Sequence, residues 1–275
     1  MKYNSILFTS LGLCLLGQVS AQVTALNNGY HKWTSGEWTD GAPTAASTIF
    51  LNDNTNLTIG EGIVAQAKGI RAGNVTTSTT SIDLNGGTLD LDFIILSNSV
   101  TANSAFYQDG GLLTIANTTY FDFVLGSPEG ASTASCFAQA TFAGGTAVLS
   151  DVVFNLSANR ALKMTVDGSR VELSAATLRG AKQGVASVAP AVLEFDFDRR
   201  GVATFVVAGA LDLGQSDQFT LKIDGSEYKG REDRFVLIDA ASISGAFSEI
   251  VIEGFSGGAS VYAEEANGDI ILTIP

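Results

Sequence analysis

Apolar and polar residues alternate in short runs along most of this chain, and glycine pairs punctuate the runs. Ser81-Ile82-Asp83-Leu84 and Thr88-Leu89-Asp90-Leu91 flank Gly86-Gly87, and each run sets its apolar residues on one side, the period-two pattern of a half-buried β-strand. The arrangement recurs around Gly110-Gly111, Gly144-Gly145 and Gly168, at successive spacings of 24, 34 and 24 residues. Four residues before the first glycine of each stand Ile82, Phe106, Ala140 and Met164, and two before stand Leu84, Gln108, Phe142 and Val166. Three after come Leu89, Leu113, Ala147 and Val171; five after, Leu91, Ile115, Leu149 and Leu173; ten after, Leu96, Tyr120, Phe154 and Leu178. A fixed period with fixed apolar offsets marks a solenoid.

The offsets predict three short strands per period. The fold class expected is therefore all-β: a right-handed parallel β-helix, or β-solenoid, with coils of about 24 residues. Coils stacked about 4.8 Å apart would pile the apolar offsets into internal columns, and the glycines would turn the corner where positive φ is costly for other residues. The longer spacing predicts a ten-residue loop at Gly126–Ser135, a turn-forming and apolar-poor stretch, because insertions in a repeat map to loops. Residues 22–60 read as an N-terminal cap with the first strands, 61–180 as the repeat region, and 181–275 as a C-terminal β region of closing coils or a small β cap. Trp33, Trp38 and Pro43 precede the first long strand. The two tryptophans are expected to cover the open end of the core or to offer a sugar-stacking platform.

Residues 1–21 change the picture of where the fold begins. Lys2, the apolar run Ile6–Leu16 and Val19-Ser20-Ala21 make a cleavable secretory signal peptide the expectation, with an extracellular or cell-surface protein as its consequence. Only Cys136 lies outside that leader, so no intramolecular disulfide is expected. The formal charge of −13 argues against nucleic acid and anionic membrane surfaces as partners. No membrane span is expected beyond the leader.

Phe235-Val-Leu-Ile-Asp-Ala-Ala-Ser-Ile-Ser-Gly-Ala-Phe247, Ile250 to Gly254 and Asn267-Gly-Asp-Ile-Ile-Leu-Thr-Ile274 resemble the passenger end of autotransporter-like bacterial surface proteins. The glycine-pair repeats resemble the strand repeats of the same passengers. The Trp33, Trp38 and Pro43 opening is similar to that of secreted proteins with a Pro-Glu-Pro C-terminal sorting tail. Neither a barrel nor such a tail follows up to Pro275, which leaves the attachment route open. The resemblance implies a surface or matrix role and brings no catalytic residues or cofactor with it.

Candidate chemistry is sparse. Asp90 and Asp92 share one strand face and form a candidate ligand-contacting or acid pair, since glycoside hydrolysis uses two carboxyls at a set separation. The next period offers Thr114-Ile115-Ala116 there, with no third acid to tune a pKa. Glu194, Asp196 and Asp198 alternate with Leu193, Phe195 and Phe197; three carboxylates on one face suit calcium or an ordinary wetted surface. Asn52-Asp53-Asn54 is a second oxygen-rich turn. His31 is the only histidine, and no nucleophile elbow, zinc set or phosphate loop accompanies it. The expectation is a non-catalytic exported surface or matrix protein, adhesin-like or in contact with extracellular glycans. The alternative is a polysaccharide lyase or glycoside hydrolase on the same scaffold.

Overall fold

The computed structural model describes residues 23–35, 37–75, 77–99, 101–116, 123–126, 136–156, 160–182, 191–213, 219–264 and 268–275. The leader, Tyr120, residues 127–135, the side chain of Cys136 and residues 183–190 lie outside them. The strands are β1 (Val23–Lys32), β2 (Thr48–Gly60), β3 (Val64–Ala72), β4 (Thr79–Asn85), β5 (Thr88–Leu96), β6 (Asn103–Ile115), β7 (Phe123–Leu125), β8 (Cys136–Leu156), β9 (Arg160–Asp167), β10 (Val171–Lys182), β11 (Ala191–Asp196), β12 (Phe205–Leu213), β13 (Phe219–Asp224), β14 (Arg234–Gly245), β15 (Glu249–Glu253), β16 (Ser260–Glu264) and β17 (Asp269–Thr273). No described residue is helical.

Parallel pairing from each coil to the next builds a β-solenoid of about seven turns with coils of about 26 residues. Three sheets run down the stack, and each has an inward apolar column. On the first, Ile49, Ile70, Ile94, Phe123, Val152, Leu178 and Leu211 lie in register. On the second stand Leu57, Ile82, Phe106, Ala140, Met164, Leu193 and Leu221. On the third stand Ala65, Leu89, Leu113, Ala147, Leu173, Phe205 and Ile238. All are buried. Large and small residues alternate where rings meet: Phe106 packs 5.6 Å from Phe142 and 5.7 Å from Phe123, centroid to centroid, with Ala140 beneath. A buried phenylalanine contributes roughly 1.5–3 kcal/mol, so the columns are the main source of cohesion.

The glycine pairs turn the corner between the second and third sheets. Gly111 has φ +77°, and a Cβ there would stand 2.0 Å from the Gly87 carbonyl oxygen; at Gly145, φ +78°, it would stand 2.4 Å from that of Gly111. Stacked corner backbones approach too closely for any side chain, a second reason for glycine beside positive φ. Gly110, by contrast, has room for a Cβ, with nothing nearer than 3.5 Å. The buried Gln108 side chain pins this corner, donating to the carbonyls of Thr146 (3.0 Å) and Gly111 (3.4 Å).

Two expectations about register need correction. Gly168 is not the fourth member of the glycine column: Val171 pairs with Gly145, and Leu173 with Ala147. This corner holds two extra residues, and a shift of two preserves which residues face inward. Glu172 therefore lies beside Thr146, not beside Val148. The ten extra residues of the 34-residue coil are also not all in Gly126–Ser135. Leu91 to Ile94 matches Ile115 to Phe123, and Leu96 to Asn103 matches Leu125 to Phe137, so half are added between Ile115 and Phe123 and half between Leu125 and Phe137.

Both ends of the stack are covered. Trp33 and Trp38 are buried in the core with ring centroids 5.5 Å apart, and Trp38 Nε1 donates to the Trp33 carbonyl at 3.2 Å. The chain between them returns from the end of β1 to its start, where Thr39 N donates to Ala25 O. At the other end β17 pairs antiparallel with both β14 and β16.

Candidate functional site

The outward side of the second sheet changes character along the stack. In its upper coils the outward residues are Tyr30, Asn56, Ser81 and Ala105 in one column, and Lys32, Thr58, Asp83 and Tyr107 in the next. The turn before Tyr30 uses Asn28 (φ 46°) and Gly29 (φ 110°), where the β1–β2 register shifts. It leaves the Tyr30 side chain 90% exposed. Beside it runs a groove of about 400 Å³ lined by Tyr30, Asn54, Asn56, Thr79, Ser81 and Ala105, among others. Asn56 Nδ2 donates to Asp83 Oδ2 at 2.7 Å and also to Ser81 Oγ, so the polar floor is held in a fixed arrangement. An aromatic wall over oriented amides and hydroxyls is the chemistry that takes the apolar face and the rim hydroxyls of a sugar.

The lower coils of the same face are ionic. Glu194 on β11 is 5% exposed. It receives Lys163 from the coil above, and Lys222 from the coil below at 3.1 Å; Lys222 reaches Glu253 at 2.8 Å. Burial pushes the Glu194 carboxyl up, but bonds and charge from Lys163 and Lys222 outweigh it and hold it below its ordinary value. Hydrogen bonds to Glu253 and Glu194 raise Lys222 in turn. One column over, Asp167, Asp196, Asp224 and Glu253 stack on successive coils. Burial, then the charges of Asp167 and Asp224, push Asp196 up to about 6.

The sequence-derived residues fall in several places. Glu194 and Asp196 do share an outward face, with Glu194 engaged by lysines. Asp198 lies past the strand end and caps a turn, accepting from Arg200 N (2.7 Å), Gly201 N (3.0 Å) and Ser169 Oγ (2.8 Å). These bonds outweigh burial and hold its carboxyl below the usual range. Among the described residues no group of three or more His, Cys, Asp or Glu is placed to hold a metal ion. Asp90 faces out from the third sheet beside Thr114, accepting from Gln66 Nε2 at 3.3 Å, and Asp92 is exposed. Trp33 and Trp38 bury their rings, so neither offers a stacking face. His31 is buried, with Nδ1 2.6 Å from Glu37 Oε2 and Nε2 3.2 Å from the Asn28 carbonyl.

Three features were missed from sequence. The Tyr30 groove has no motif. The lysines of Glu194 are 31 and 28 residues away, so nothing local announces them. Asn27, Asn52, Asn74 and Asn98 form a side-chain amide ladder with rungs of 3.0, 3.3 and 2.9 Å. Their recurrence at near-coil spacing was a usable signal, hidden because they sit at a different corner from the glycines.

No described helix is long and apolar enough to cross a membrane. Set beside known proteins, the chain matches no protein-family model, no curated protein and no solved structure; what its own coordinates establish is a β-solenoid of about seven turns.

Proposed function

We propose that this chain is an exported, non-catalytic surface or extracellular-matrix protein that contacts glycans through the outward side of its second sheet. The observation that carries the reading is the Tyr30 groove: a ring 90% exposed over an ordered row of amide and hydroxyl groups. Export rests on the leader-like residues 1–21. Kinship with autotransporter passengers or sorting-tail proteins rests on the strand repeats and the Phe235–Ile274 segment, and is part of this proposal. The acidic charge of −13 keeps such a protein soluble and favours uncharged glycans over anionic ones.

The test is an array of neutral and acidic glycans probed with the purified chain and with Tyr30→Ala. Binding to neutral glycans that the variant loses supports the reading. No binding by the wild-type chain, or equal binding by the variant, overturns it. A depolymerisation assay on the same glycans separates the enzyme alternative: product release abolished by Asp90→Ala or Asp92→Ala would replace a binding protein with a hydrolase.

A further inference from the structure

The Tyr30 groove opens onto a longer track, and the inference here rests on the glycan reading above. Tyr107 projects from the same sheet face, two residues along β6 from Ala105, and is 38% exposed. Tyr30 and Tyr107 are three coils apart, about 14 Å along the stack, and about 7 Å apart across it. Between them the outward side chains are small or neutral, apart from Lys32, exposed beside Tyr30, and Asp83, whose carboxylate Asn56 engages. Below Gln139 and Thr141 the same columns reach Lys163 and Thr165, and with Lys163 the Lys163–Glu194–Lys222 ion pairs begin, where the neutral track ends.

We infer that this face takes an uncharged, unbranched and extended polysaccharide lying along the stack, with one sugar against Tyr30 and another, about three residues further on, against Tyr107. The physical grounds are shape and charge. A sheet face is flat, so a ribbon-like β-1,4-linked chain lies on it where a coiled α-linked chain does not. The repeat of such a chain is roughly one coil step, so its hydroxyls stay in phase with the rows of Asn, Ser and Thr. Asp83 and the negative field of the whole molecule disfavour uronate or sulfate groups.

Calorimetric titration of the full chain with β-1,4-linked glucose oligomers of two to six residues tests this. The affinity is expected to rise about tenfold from dimer to tetramer and then level off, as the second ring engages. Tyr107→Ala is expected to return the tetramer to the affinity of the dimer while leaving the dimer unchanged. Tyr30→Ala weakens both. Both rings are exposed, so melting temperatures serve as the check that the variants stay folded. Equal affinity for all lengths, or a tetramer indifferent to Tyr107→Ala, overturns the track and leaves the Tyr30 groove standing. If no oligomer binds, the track is overturned, and the glycan array decides separately on glycan contact.

Discussion

The upper and lower halves of this stack share one topology and hold it by different means. In the upper coils the corner between the second and third sheets spans five residues three times running: Leu84 to Leu89, Gln108 to Leu113 and Phe142 to Ala147. In the lower coils it lengthens to seven residues (Val166 to Leu173), ten (Phe195 to Phe205) and fifteen (Ile223 to Ile238). The tight corners are locked by glycine backbones in near contact, while the asparagine ladder braces the corner between the first and second sheets of the same half. The long corners are filled by aromatic packing, with Phe197 lying 5.0 Å from Phe235, 5.3 Å from Phe255 and 5.6 Å from Tyr228 between ring centroids. There the strands are clamped by the Glu194 ion pairs. Inward columns define a solenoid, while corners are free to vary once something else closes them.

The largest expected effect breaks the upper half alone. Gly111→Ala should destabilise by about 3 kcal/mol or more, because it adds a clash with the Gly87 carbonyl to an unfavourable φ; Gly110→Ala should cost well under about 1 kcal/mol. Urea melts of the two variants check this, and equal losses would mean the pair acts only as a flexible turn. Next, Glu194→Ala should destabilise the lower half by about 2 kcal/mol at neutral pH, leaving part-buried Lys163 without its carboxylate and Lys222 with Glu253 alone. Because the folded carboxyl sits below its ordinary value, that contribution is present above pH ~4 and is lost as the pH falls through the folded value. Melts of wild type and variant should therefore converge in acid.

A smaller effect is expected in the ladder. Asn74→Ala removes two rungs and should cost about 1–2 kcal/mol, read as a lower urea midpoint with an unchanged slope. The smallest has the opposite sign. Asp196 holds its proton up to about pH 6 in the fold, so stability falls as pH rises from about 4 to 6. Asp196→Asn should raise the melting temperature slightly at pH 7 and leave it unchanged at pH 4. A variant less stable than wild type at pH 7 would show that the acid column is held by attraction not seen in its geometry.

Much of the architecture follows from short-range pattern. Alternation decides which side chains face inward, and recurrence decides that coils stack. The columns through Ile82 and Leu84 were therefore predictable across four coils, down to Met164 and Val166. The same logic placed Val171 and Leu173 two residues out of register and put all ten inserted residues in one loop. The number of residues a corner absorbs leaves no mark on the alternation around it.

That number is settled by packing and hydrogen bonding between coils. It accumulates along the stack and fixes which residues become neighbours at long range. Glu194 meets Lys163 and Lys222, four asparagines meet as a ladder, and Tyr30 and Tyr107 come to share a face, only after every intervening corner has taken its length. Local pattern settled inside against outside, because that depends on the two-residue repeat of a strand. Tertiary structure settled the partners and the surface chemistry, because those depend on the summed register of several coils.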